Sequence, residues 1–164
     1  MEHKDYIREV GNSRTAVLML HGIAGTPAHF RDLIPVIPGH LAIYNILLDG
    51  HGKEVEDFSR TSMKKWKAQV AATLDMLFTR YDAVFIVAHS MGTLFAIQAA
   101  IDHPDRICGL FLQAVPLRVH LPASTVLTSL RATRKQVSPD DTAVQAMTGD
   151  CSIRLTPNLF KYIG

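Results

Sequence analysis

The apolar positions of this chain form short uninterrupted runs that alternate with helical spacings. Residues 15–20 and 83–87 carry no charge and are apolar apart from one threonine. Residues 41–48 and 108–115 have the same character, each with one amide side chain. Runs of this length are typical of strands that are buried on both faces of a parallel sheet. A short edge strand is also predicted within residues 4–10.

Helical spacing fills the intervals between these runs. The longest helix is predicted from Thr61 and Ser62, which are preferred capping residues, to about Tyr81. Its apolar face is formed by Trp66, Val70, Leu74 and Leu77. Strands and helices alternate from residue 15 onward, which predicts the α/β class with a mostly parallel, doubly wound sheet.

Two shorter helices are predicted beside the other runs. Thr26 and Pro27 have the pattern of a capping residue followed by a proline at the first helical position, and they predict a helix to about residue 34. Another helix begins after residue 90, where Leu94, Ile97 and Ile101 share one stripe, and it ends before the next proline.

A serine lies at the sharp change from strand to helix pattern. Residues 88–92 read Ala-His-Ser-Met-Gly, with Ser90 between small residues two positions before and two positions after it. This segment resembles the nucleophile elbow G-x-S-x-G of the α/β hydrolases, with Ala88 in place of the first glycine. Taken alone, Ser90 also fits the N-terminal cap of an ordinary helix.

Two further loops favour the hydrolase interpretation. Residues 21–25 read His-Gly-Ile-Ala-Gly after the first strong strand, and residues 49–52 read Asp-Gly-His-Gly after the second. All three loops follow parallel strands at their carboxyl ends, where open α/β sheets bind ligands. On these motifs the chain resembles the α/β-hydrolase superfamily, in particular serine carboxylesterases and monoacylglycerol-lipase-like enzymes, over the N-terminal part of their fold.

The resemblance implies a role for each residue of these loops. Ser90 would be the nucleophile, and the backbone N–H groups of Ile23 and Met91 would stabilise the oxyanion. The side chains of Ile23 and Met91 would also place apolar surface beside the acyl group. The supporting residues are His21, Gly22, His51, Gly52, His89 and Gly92.

The resemblance also implies a catalytic acid and then a histidine base, on loops after two later strands. No such strands are predicted, so we expect the N-terminal part of a longer hydrolase, with 108–115 left as an exposed apolar edge. His103 is excluded as the base, because about 13 helical residues separate it from Ser90 by about 20 Å. His120 lacks a nearby acidic residue that would orient it. The acid and base are therefore expected outside this sequence.

The remaining segment, 116–164, contains small predicted helices with no strand between them. It resembles the cap or lid that this family inserts over its active site. The predicted organisation is therefore a core portion over 1–115 followed by a cap segment over 116–164 of the same domain.

Composition restricts the partners. The 164 residues suffice for one domain, and the formal charge of +2 comes from scattered basic residues that do not indicate a nucleic-acid partner. Cys108 and Cys151 lack the spacing of a zinc site or a disulfide framework. Neither a secretory signal nor a membrane span is predicted, so a cytoplasmic protein is expected. Its histidines do not repeat at metal-ligand spacing, and no metal or other cofactor is expected.

The function expected from the resemblance is hydrolysis of small-molecule carboxylic esters of apolar acyl groups through an acyl-enzyme. Thioester hydrolysis is the first alternative. A hydrolase-like module that binds a ligand without turnover is the second, because a base and an acid are missing from the predicted core. The acyl chain length and the oligomeric state stay open.

Overall fold

The computed structural model describes residues 3–53 and 55–117. Within them, five strands form one sheet: β1 (Tyr6–Arg8), β2 (Thr15–Leu20), β3 (Ala42–Ile46), β4 (Ala83–His89) and β5 (Ile107–Gln113). Three α-helices accompany the sheet: α1 (Val55–Ser59), α2 (Met63–Arg80) and α3 (Met91–Asp102). Two short 3₁₀ helices, Pro27–Phe30 and Ile34–Val36, lie between β2 and β3.

The sheet has the order β1-β3-β2-β4-β5 and is parallel except for β1. β1 runs antiparallel to β3, with Tyr6 opposite Asn45, and forms the edge strand that the sequence predicts. The predicted α/β class with a mostly parallel sheet is confirmed. Because β2, β3 and β4 are parallel neighbours, the loops that follow them meet at one edge of the sheet.

Helix α2 follows its sequence pattern closely. Its N-cap is Ser62, whose side chain accepts a hydrogen bond from the N–H of Lys65, and its C-cap is Tyr81. Its buried residues are Trp66, Val70, Leu74 and Leu77, the four that the spacing predicts. They pack in one core cluster with Leu18 and Ile86 of the sheet and Phe95 of α3. Helices α2 and α3 thus cover one face of the sheet.

The opposite face of the sheet is covered by the 3₁₀ segments. Phe30, which is 1% exposed, packs there on Val17, Met19 and Ile43. Thr26 caps the first 3₁₀ helix as predicted, but the continuous helix to residue 34 is wrong. Turns at residues 31–33 separate the two 3₁₀ helices, and Pro35 in the second one has no N–H with which to continue an α-helical ladder.

Helix α3 turns its large apolar stripe away from the core. Leu94 and Ile101 are 38% and 68% exposed, whereas Ala96 and Ala99 are buried with Phe95. Besides Phe95, the buried side chains include the small ones of Ala96 and Ala99, which allow the helix to lie close to β4 and β5. The stripe exists as predicted, but it is an outer surface of the described part of the chain.

Strand β5 is the other edge among the described strands. Cys108 is exposed, and Leu110 and Phe111 are 37% and 53% exposed. β5 therefore has the exposed apolar character expected for 108–115 when no later strand covers it. Apart from Pro116 and Leu117, the predicted cap segment lies outside the described residues, and the division at residue 115 stays a prediction.

A pair of substitutions tests this assignment of inner and outer surfaces. Leu77→Ala is expected to lower the free energy of unfolding by about 2–5 kcal/mol, because Leu77 is fully buried and its loss leaves a cavity. Ile101→Ala is expected to change it by no more than about 0.5 kcal/mol. Urea unfolding followed by circular dichroism measures both. An Ile101→Ala variant as unstable as Leu77→Ala would show that the stripe is buried after all.

Candidate active site

Ser90 lies in the bend between β4 and α3 with an unusual backbone conformation. Its φ of 49° and ψ of −122° fall where L-residues are rare, which is typical of strained functional positions. The strain is held by hydrogen bonds, because the N–H of Ser90 donates to the carbonyl of Gln113 at 2.9 Å and the N–H and hydroxyl of Thr93 donate to the carbonyl of Ser90. The Ser90 side chain makes no capping hydrogen bond to α3, so the interpretation as an ordinary N-cap loses its basis.

The elbow depends on two glycines that allow backbone segments to approach closely. A Cβ atom on Gly92 would collide with the carbonyl oxygens of Leu20 and His21, the latter at 2.8 Å. A Cβ atom on Gly22 would lie 2.9 Å from the Cβ of Ser90. The loop after β2 therefore packs directly against the serine. Ala88 is fully buried within the sheet, where its methyl group is accommodated.

The 21–25 loop forms a tight turn beside the serine. The N–H of Gly25 donates to the carbonyl of Gly22 at 3.1 Å, and Ala24 has a φ of 55°. Ile23, at the tip, is 59% exposed. The non-glycine residues with positive φ in the described chain are Ala24, Ser90 and Ala114, and each follows the carboxyl end of a strand. Backbone strain is thus concentrated at the edge where the loops meet.

Met91 is the first residue of α3, and its side chain is 7% exposed within the core cluster. The expectation that Met91 places apolar surface beside an acyl group is therefore wrong. The first turn of α3 points the methionine into the packing between helix and sheet. Its backbone N–H, which belongs to the unpaired N-terminal turn of the helix, remains available for the predicted oxyanion role.

His21 is held as a neutral structural group. The N–H of Leu48 donates to its Nε2 at 3.0 Å, so Nε2 carries no proton, and Nδ1 then donates to the carbonyl of Gly22 at 2.8 Å. Burial lowers the pKa of His21 to about 3. Since both nitrogens are engaged, His21 links the ends of β2 and β3 and cannot take a proton from Ser90.

His51 is the second buried histidine of this edge. Its Nδ1 lies 3.2 Å from the carbonyl oxygens of both Leu48 and Asp49 and therefore donates to them. Its Nε2 is buried without a hydrogen-bond partner in the described chain, and burial lowers the pKa of the ring. The ring packs against Phe58 and Trp66, whose indole N–H donates to the carbonyl of Asp49 at 2.7 Å. These contacts fix the His51 ring in its loop, in which Gly50 and Gly52 both adopt positive φ. The supporting role of His51 in the site stays a prediction.

His89 stacks on a histidine that sequence reasoning missed. Its ring centroid lies 4.0 Å from that of His29, with an interplanar angle of 31°. Burial, and then the charge of His29, lower the pKa of His89. No motif in the sequence indicates a role for His29, because its contact with His89 joins residues that are far apart along the chain.

Among the described residues, the hydroxyl of Ser90 makes no hydrogen bond to a histidine or a carboxylate that could act as its base. His103 is the C-cap of α3 and therefore lies at the end of that helix opposite to Ser90. His120 lies outside the described part of the chain.

Within that part, no group of three histidine, cysteine or acidic side chains could hold a metal ion. No helix there has the length and apolarity needed to cross a bilayer.

Gly92→Ala tests whether close backbone approach shapes the elbow. The added methyl group has to displace α3 from the end of β2, so we expect the free energy of unfolding to fall by about 1–3 kcal/mol. Gly39→Ala is the matched control, because nothing lies within 4 Å of the Cβ position there. Equal stability of the two variants in urea unfolding would contradict the packing described for Gly92.

The pH dependence of stability tests the neutral state of His21. Its pKa is about 3 when folded and about 6.5 when unfolded, so the unfolded chain binds more protons between these values. The free energy of unfolding is therefore expected to fall as the pH drops below about 6.5, with a contribution from His21 that approaches about 1.4 kcal/mol per pH unit.

His21→Asn removes this titration and should give a shallower pH dependence between pH 7 and 5, although it is less stable at pH 7. His40→Gln, at an exposed position, is the control and should keep the slope of the unsubstituted protein. Urea unfolding at several pH values measures these slopes. An unchanged slope in His21→Asn would show that His21 is already protonated in the folded state.

Comparison with known proteins gives several matches. The family model described as serine aminopeptidase, S33 (Hydrolase_4), matches residues 11–158. The thermostable monoacylglycerol lipase of Bacillus sp. (strain H-257) is 35% identical over 117 residues, which are 68% of this chain and 44% of the lipase.

Solved structures give matches of the same kind. A structure from work on LipS and LipT, two metagenome-derived lipolytic enzymes, has a TM-score of 0.63 and 26% identity and covers 84% of this chain and 54% of that one. A thioesterase domain from the curacin biosynthetic pathway has a TM-score of 0.57 and 22% identity, and the match covers 88% of this chain and 60% of that domain. At this identity the match supports a shared fold and nothing further.

The chain spans about half the length of the relatives that it matches. The matched region contains all three loops of the candidate site, since it runs from before β2 to beyond β5. Because the family model extends over most of the chain, the protein belongs to the serine aminopeptidase S33 family of α/β hydrolases.

Proposed function

We propose that this protein is a serine hydrolase that cleaves carboxylic esters of apolar acyl groups through an acyl-enzyme on Ser90. The observation that carries the proposal is the strained conformation of Ser90, with a φ of 49°, in a bend packed against Gly22. Such strain costs free energy and persists only where the surroundings enforce it. It presents the serine at the sheet edge instead of capping the helix.

Two backbone N–H groups flank the proposed reaction centre. Met91 belongs to the unpaired first turn of α3, where the helix dipole favours negative charge, and Ile23 follows the glycine that packs on Ser90. Donors preorganised in this way would stabilise the oxyanion of a tetrahedral intermediate. In the proposed reaction the Ser90 oxygen attacks the ester carbonyl while a base accepts its proton. The alcohol then leaves, and water releases the acid from the acyl-enzyme.

The base and the acid are proposed to come from the part of the hydrolase fold that the described residues do not contain. His21 cannot act as the base, because both of its ring nitrogens are engaged in hydrogen bonds. The match to only 44% of the monoacylglycerol lipase supports this division, since the relative has further chain from which such residues could come.

The proposed substrate class rests on the relatives and on Ile23. The relatives include a monoacylglycerol lipase and lipolytic enzymes, which favours esters of apolar acyl groups over thioesters. Ile23, with 59% of its side chain exposed in the loop that packs on the serine, offers apolar surface at this edge. The thioesterase domain shares the fold, but at 22% identity it does not favour thioester cleavage.

Covalent labelling tests the role of Ser90. In the protein produced from its whole gene, a fluorophosphonate probe is expected to form an adduct on Ser90 that Ser90→Ala abolishes, with mass spectrometry of the labelled peptide as the measurement. Ser59→Ala, which removes an exposed hydroxyl of α1, is the control and should label like the unsubstituted protein.

The same preparations then test turnover and substrate class. Hydrolysis of an activated octanoate ester should exceed that of the acetate and should fall by about three or more powers of ten in Ser90→Ala. Equal labelling of all three proteins would show that Ser90 is not the nucleophile. Labelling without turnover of any ester would favour the ligand-binding module, and a preference for acetate would overturn the apolar substrate class.

A further inference from the structure

The contact between His29 and His89 joins the two halves of the candidate site. His29 lies in the 3₁₀ helix Pro27–Phe30, and His89 is the last residue of β4, directly before Ser90. Their ring centroids are 4.0 Å apart and the rings are tilted by 31°, which is a stacked arrangement of two half-buried imidazoles.

Each ring is attached to a firmly held segment. The ring of His29 makes an edge contact with Phe30, which is 1% exposed in the core. The buried amide of Asn45 donates to the carbonyl of Pro27 at 2.8 Å and so ties the 3₁₀ helix to β3. On the other side, His89 continues the parallel register of β4 with β5, where it pairs with Gln113. A contact between these two rings therefore fixes the segments to each other.

The loop that precedes this 3₁₀ helix meets the end of β4 at the nucleophile. The Cβ position of Gly22 lies 2.9 Å from the Cβ of Ser90 and 3.1 Å from Nδ1 of His89. The loop that contains Ile23 therefore contacts the elbow at two places. Gly22 packs on Ser90 before Ile23, and His29 lies against His89 after it. Loss of the stack would remove the ring contact with β4 from this loop, which would then be held by the Gly22 contact and by the hydrogen bonds of His21.

We propose that His29 is a positioning residue whose stacking on His89 holds the 21–25 loop against the nucleophile elbow, and that this clasp opens when both imidazoles are protonated. The proposal rests on the proposed function of Ser90. Two neutral rings at this distance attract each other, whereas two imidazolium ions repel each other.

The charged side chains around the pair are exposed ones. His29 and His89 line an open cavity of about 650 Å³ with Asp32, whose carboxylate lies 3.5 Å from the guanidinium of Arg31, and with the uncharged Gln113. Among residues 3–53 and 55–117, a further titratable neighbour of the pair is His21, which is buried and neutral. Burial and the charge of His29 lower the pKa of His89, which agrees with a pair that resists protonation.

Two variants of His29 separate its ring from its charge. His29→Phe keeps an aromatic ring that can stack but cannot be protonated, and His29→Ala removes the ring. His40→Gln is the exposed histidine control.

The rate of fluorophosphonate labelling of Ser90 is measured from pH 5 to 8 in the protein produced from its whole gene. The pKa of His89 is measured separately by NMR of its ring, with His89→Gln for assignment.

At pH 8 we expect His29→Phe to label within about twofold of the unsubstituted protein and His29→Ala to label about tenfold more slowly, because a tenfold rate change needs a loss of only about 1.4 kcal/mol. Below pH 6 the rate in His29→Phe should fall less steeply with pH than in the unsubstituted protein or in His40→Gln. The pKa of His89 should rise in His29→Phe, because the charge that lowers it is gone.

The opposite results would overturn the proposal. Equal impairment of His29→Phe and His29→Ala at pH 8 would exclude a role for the stacked ring, as would full activity of His29→Ala. An unchanged pH profile in His29→Phe would exclude the opening by protonation. If no protein labels, the function proposed for Ser90 fails, but an unchanged pKa of His89 in His29→Phe would still refute the clasp on its own.

Discussion

The close approach of α3 to the end of β2 is the constraint on which the rest of this structure depends. The first turn of the helix touches the backbone of Leu20 and His21 where Gly92 has no side chain, and this contact sets the angle at which the chain leaves β4. The angle in turn places Ser90 in a conformation that it would not adopt by itself. Hydrogen bonds from Thr93 and to Gln113 then hold the bend from both sides.

Buried imidazoles act here mainly as connectors between loops. His21 joins the ends of β2 and β3 through two hydrogen bonds, and His51 joins its own loop to the aromatic side chains of α1 and α2. A neutral imidazole suits this task because one of its nitrogens donates and the other accepts. The cost is that these rings must stay uncharged, which burial enforces by lowering their pKa values. Acid is therefore expected to destabilise the loops that His21 and His51 hold, independently of any effect on a catalytic group.

Local signals in the sequence were sufficient for most of the fold. The cap at Ser62 and the four buried positions of α2 could be predicted because a capping hydroxyl and a 3.6-residue period depend only on neighbouring residues. The continuous helix predicted from Thr26 was wrong, because the capping signal at Thr26 and Pro27 fixes where a helical segment begins but not how far it extends. The orientation of α3 could not be predicted from its stripe, because the residues that it buries, Phe95 with the small Ala96 and Ala99, do not belong to that stripe.

The candidate site divides in the same way. The three loops were recognisable as short contiguous motifs, and the structure brings the 21–25 loop against the Ser90 elbow. The stack of His29 on His89 was not recognisable, because it joins distant positions and needs the register of the sheet. The side-chain direction of Met91 was likewise set by the first turn of α3, which motif spacing does not describe.

The hydrogen bond from the N–H of Ser90 to the carbonyl of Gln113 connects the nucleophile elbow to β5, an outer strand of the described sheet. The carbonyl of Gln113 that accepts this bond belongs to a strand whose Leu110 and Phe111 are largely open to solvent. Any contact that covers these side chains would stabilise β5 and, through it, the backbone geometry of the nucleophile. By reciprocity, a covalent adduct that favours the strained bend would tighten binding at an edge several residues away. Contacts at the apolar edge would thus influence the backbone conformation of Ser90, although the edge touches none of the reacting atoms.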